Sequence, residues 1–176
     1  MSKLLKRIKY HLSKRYKLVA VHAEALFIDK VWDIARLKAI NTKIDRWYVM
    51  TPANYNYFKG SFNTKYDEYA ISQILRWRYR ALFDFANLDG RKFGLHVHLS
   101  LANNLGYYEQ EQLIQRSIKW FNEVFGFYPR EIVFGWWLYN KDTIDICKRF
   151  NLKIIGPEDY NSVHDYNWQG VIQDDE

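Results

Sequence analysis

The chain has 176 residues, 48% of them hydrophobic and 18% aromatic, with a formal net charge of +6. That length and apolar content suit one domain with a core of its own and exclude a disordered chain, and no apolar run approaches the roughly 20 residues of a membrane helix. The single cysteine, Cys147, excludes an intrachain disulfide; in TIDICKRF it shares a helical face with Ile144 and Phe150 and reads as a small buried hydrophobe.

The charge is unevenly spread. Residues 1–17 carry Lys3, Lys6, Arg7, Lys9, Lys14, Arg15 and Lys17 without an acid, and Leu5, Ile8, Leu12 and Tyr16 fall at helical spacing. Residues 1–16 therefore read as a basic amphipathic extension of a single domain spanning residues 1–176. Its first reading is a solvated helix on the domain edge, its second a contact with an anionic membrane surface, and its last a nucleic-acid contact. The basic start has no apolar segment of the secretory type, so a cytoplasmic location is expected.

KLVAVHA (17–23) is a β-branched apolar run and predicts a buried strand, and DKVWDIARLKAI (29–40) predicts a helix with Val31, Ile34, Ala35 and Leu37 on one face. RWYVM (46–50) predicts a strand ending at Thr51-Pro52, and residues 66–85 predict a long helix. KFGLHVHLSL (92–101) predicts a strand. A helix over 108–126, stopped by Gly126, leads to a strand EIVFGWW (131–137), a helix over 141–150 and a strand LKIIG (152–156); GVI (170–172) adds a possible last strand. Alternating apolar strands and helices argue for a parallel sheet covered by helices. No glycine-rich phosphate loop follows any strand, which argues against a nucleotide-binding open sheet.

The 92–101 strand carries the strongest chemical signal. Alternation sends Phe93, Leu95, Val97, Leu99 and Leu101 to one face, and Gly94, His96, His98 and Ser100 to the other. Two imidazoles on one face of a buried strand call for a common partner, because each costs on the order of a lost hydrogen bond if left alone. A divalent metal such as zinc supplies one, with a third ligand from a neighbouring strand end; VAVHAEA offers His22 and Glu24 there. The competing reading is a pair of hydrogen-bonded core histidines.

Taken in order, KLVAVHAEA, RWYVMTPANY, KFGLHVHLSL, the stretch from Tyr107 to Gly156 and SVHDYNW resemble the successive motifs of the polysaccharide deacetylase (NodB-homology) superfamily over residues 17–167. The resemblance implies a distorted (β/α) barrel of 6–7 parallel strands, with its site at the C-terminal strand ends. It implies a metal-dependent hydrolase that removes acetyl groups from a carbohydrate. Carried over by position, Glu24 is the acidic metal ligand and His96 the first metal histidine; His98 is chosen as the second, and His22 and His164 are the proton-transfer candidates. Asn54, Tyr55 and Trp137 are candidates for contact with the sugar, since strand alternation turns only one of Trp136 and Trp137 inward. The sequence also departs from the family pattern. The usual four-residue histidine spacing would fall on Ser100, Ala23 stands in place of the first acid of the usual Asp pair, and GWW replaces the Arg-x-Pro stretch. The alternative function is a catalytically inactive carbohydrate-binding protein on the same fold.

Overall fold

The structure, a computed structural model, describes residues 18–41, 44–85, 93–99 and 105–164. The strands are β1 (Leu18–Ala23), β2 (Arg46–Met50), β3 (Phe93–Val97), β4 (Glu131–Phe134), β5 (Lys153–Ile154) and β6 (Tyr160–His164). The helices are α1 (Asp29–Asn41), α2 (Tyr55–Phe62), α3 (Glu68–Phe85), α4 (Tyr107–Phe125) and α5 (Lys141–Arg149). All strand pairs are parallel, and the sheet runs in the order β5-β4-β3-β2-β1-β6. The first five strands are thus wound in sequence, and β6 returns to pair with β1.

One face of the sheet meets the helices. Val21, Val49, Leu95, Val97, Ile132 and Phe134 point to it and pack with Val31 of α1, Phe58 of α2, Leu75 and Leu82 of α3, Phe121 of α4 and Ile146 of α5. Burying each such side chain contributes about 1.5–3 kcal/mol. Cys147 belongs to this layer, as its sequence setting predicts, and burial pushes its thiol up to about 12.

The opposite face is narrower and differently filled. Ala20, Tyr48, Val133 and Ile155 form a small apolar cluster with Trp137 packed against it. Below them Glu131 accepts hydrogen bonds from Arg46 Nε (3.1 Å) and the Tyr48 hydroxyl (2.9 Å). Gly94 makes room for this arrangement, since a Cβ there would lie 2.6 Å from the Tyr48 ring. Above the cluster come the histidines.

Several boundaries differ from the sequence reading. β3 ends at Val97, two residues before the last described residue of that segment, Leu99. β4 ends at Phe134, and Gly135–Trp137 form a 3-10 turn in which Trp136 and Trp137 take φ of 52° and 59°. Alternation therefore does not govern the two tryptophans. Helix α2 occupies a stretch to which the sequence reading assigns no element. Gly126, with φ 78°, caps α4 as predicted. The basic extension, Ser100 and the GVI segment lie outside the described residues. Among the described residues no helix is long and apolar enough to cross a membrane.

Candidate metal centre

β1 and β3 flank β2, and the register pairs Ala23 with Val49 and Met50 with His96. Residue 24, the next along β1, thus arrives at the level of His96. There the chain turns: Ala25 adopts φ 48°, and the Glu24 N–H donates to the His22 carbonyl at 3.2 Å. Two buried side chains hold this turn. The Tyr79 hydroxyl lies 2.9 Å from the Ala23 carbonyl and accepts the Met50 N–H at 3.1 Å, tying the ends of β1 and β2 together. Arg78 donates to the Leu26 carbonyl at 2.6 Å and pairs with Asp29.

The result brings three predicted residues to one point. Glu24 Oε1 lies 3.1 Å from His98 Nε2 and 3.5 Å from His96 Nε2. One ligand atom from each of the three residues lies within 4.8 Å of the others. The two carboxylate distances are close to the roughly 3.3 Å that separates ligands placed about 2.0–2.1 Å from one tetrahedral ion.

His98 Nε2 shares a hydrogen bond with Glu24 Oε1, as the reading of hydrogen-bonded core histidines asks, so His96 is where the two readings differ. His96 is fully buried, and neither of its ring nitrogens has a hydrogen-bond partner among the described residues. Burial, followed by the neighbouring His22 and His98 rings, holds its pKa well below the ordinary value, so the ring is neutral at pH 7. A neutral imidazole with a bare nitrogen beside a carboxylate is a poor core group and a good cation ligand. The donor set of one carboxylate and two imidazoles fits a divalent ion.

His98 follows the last residue of β3, and its backbone N–H is taken up by Asn54 Oδ1 at 2.9 Å. Its ring is sandwiched. Tyr57 of α2 stacks on it with centroids 3.8 Å apart, and Trp136 meets it edge-on at 4.7 Å. Gly135 lies under the ring, where a Cβ would come within 2.2 Å.

His22 sits one layer deeper, level with Tyr48 in the register. Its ring centroid is 4.8 Å from that of His96 and 5.5 Å from Trp137. His164 is placed by its backbone, at the end of β6 opposite Val21. Asn54 is buried, and its carboxamide bonds His98 and the Thr51 carbonyl. Tyr55 turns its hydroxyl to the Tyr66 carbonyl (3.3 Å).

A cleft of about 660 Å³ opens onto the centre through His98. Trp136 and Tyr108 line it and are 64% and 67% exposed, with Asn56, Gln112 and Arg116 along its length. Trp136, not Trp137, is thus the tryptophan in the cleft. Tyr57 and Tyr108 also went unread in the sequence. For Tyr57 a signal existed, since Thr51-Pro52 is a helix-start pattern as well as a strand end.

Compared with protein-family models and with curated proteins, the chain matches none.

Proposed function

We propose that the protein is a divergent metal-dependent hydrolase of the polysaccharide deacetylase type, acting on an acetyl group of a carbohydrate. The observation that carries this reading is the convergence of Glu24, His96 and His98, with His96 buried, neutral and lacking a hydrogen-bond partner among the described residues. The topology supports it: sequential winding with helices on one face, and a last strand returning to β1, is the course of an incompletely closed (β/α) barrel. The centre then stands at the C-terminal strand ends, where such folds carry their chemistry.

The ion is taken to be zinc, which catalytic sites hold with a donor set of two histidines and one glutamate. When bound, it polarises an acyl carbonyl and lowers the pKa of bound water to about 7. The residues do the rest. Glu24, His96 and His98 hold the ion. Trp136 and Tyr108 offer flat apolar faces to a sugar ring, and Asn56 and Gln112 offer amides to its hydroxyls. Proton transfer is assigned to His22, whose ring centroid lies 4.8 Å from that of His96; His164, at the register position of the helix-facing Val21, is given no part in it.

The test is acetate release from acetylated oligosaccharides by zinc-loaded protein, with His96→Ala as control. Release lost in the variant supports the reading; no release across N- and O-acetylated substrates contradicts it. A second reading, sugar binding without hydrolysis, is favoured by the exposure of Trp136 and Tyr108. It predicts saccharide binding that survives loss of the ion.

A further inference from the structure

We infer that Tyr57 is a positioning residue of the metal centre, fixing the Glu24 carboxylate and the His98 ring with one side chain. The inference rests on the metal reading above. The Tyr57 hydroxyl donates to Glu24 Oε2 at 3.1 Å. That bond takes Oε2 and leaves Oε1, the oxygen 3.5 Å from His96 Nε2 and 3.1 Å from His98 Nε2. The same ring lies flat on His98, 18° from parallel. Two of the three ligands therefore have their orientation set from α2, an element that carries no ligand itself.

Tyr57 is in turn well held. Phe62 meets its ring edge-on at 5.9 Å, as does Trp136. A carboxylate free to rotate offers its oxygens to an ion only part of the time. One oxygen anchored by the Tyr57 hydroxyl presents the other in a fixed direction. Groups that orient metal ligands in this way typically contribute about 10–100-fold in affinity.

The experiment is a competition titration of Zn²⁺ into chelator-stripped full-length protein, with Co²⁺ absorption as a second readout. Tyr57→Phe keeps the stack and removes the hydrogen bond. It is expected to weaken Zn²⁺ binding about 10-fold and alter the Co²⁺ bands, with the metal-free unfolding midpoint near that of wild type. Tyr57→Leu removes both contacts and is expected to weaken binding by up to about 100-fold. Phe62→Leu touches no ligand but loosens the edge-on packing that holds the Tyr57 ring, and should shift affinity in the same direction, which gives a reading if the Tyr57 variants fold poorly. Wild-type affinity and an unchanged Co²⁺ spectrum in Tyr57→Phe, or an unmoved affinity in Phe62→Leu should Tyr57→Phe not fold, overturn the inference and leave the metal centre standing. A wild-type protein that takes up no ion overturns both.

Discussion

Gly135 lies directly against the ring of His98: a Cβ built on it would fall 2.2 Å from the imidazole. The ring cannot retreat, because Tyr57 is stacked on it and Trp136 abuts its edge. Gly135→Ala is therefore expected to displace His98, weakening metal binding at least about 10-fold and costing about 1–3 kcal/mol of stability. Metal titration and denaturant unfolding check it. Gly60→Ala is the contrast, since nothing lies within 4 Å of a Cβ there and α2 gains a better helix former; about 0.5–1 kcal/mol of stabilisation is expected.

His96 gives the metal-free protein a pH dependence of known sign. Its folded pKa is depressed below the ordinary 6.5 by burial and by His22 and His98. Between the two values the unfolded chain binds more protons than the folded one, so stability is full above pH 6.5 and falls as the pH is lowered beneath it. Unfolding free energies of chelator-treated protein between neutral and mildly acidic pH measure this, and His96→Gln should flatten the slope.

Cys147 acts at the other end of the scale. Burial raises its thiol from 9.0 to about 12. Its contribution is complete below pH 9.0 and is lost as the pH rises towards 12. Alkylation at pH 8 should be slow in the native protein and fast once it unfolds. Rapid native labelling would show the thiol exposed.

The two adjacent tryptophans should separate cleanly. Trp136→Ala removes an exposed wall of the cleft and is expected to weaken saccharide binding about 10-fold, with little change in stability. Trp137→Ala opens the cluster of Ala20, Tyr48, Val133 and Ile155. Its expected effect is on stability, about 2–3 kcal/mol, with sugar affinity largely kept. Calorimetric binding and unfolding of both variants decide it.

The sequence made the centre legible because strand periodicity is strict. In β3, Phe93, Leu95 and Val97 meet the helices while His96 points the other way, as alternation requires. His22 on β1 and Glu24, the residue just past its end, are two apart and reach the same side. The tryptophans were not legible, since a left-handed turn at two bulky residues carries no local signal; that conformation ordinarily marks itself with glycine or asparagine. Tyr57 was hidden for a different reason. Its stretch is short and contains Gly60, so no helix is assigned to it from sequence, whereas packing of Phe58 into the helix-facing core makes it one.

The central claim is that Glu24, His96 and His98 hold one divalent ion. Its most direct measurement is an anomalous difference map from zinc-loaded crystals, recorded on both sides of the absorption edge. The account expects one peak bonded to Glu24 Oε1 and to a nitrogen of each histidine at about 2.0–2.2 Å. A zinc-soaked crystal with no peak there, or with these three side chains turned apart, would contradict it.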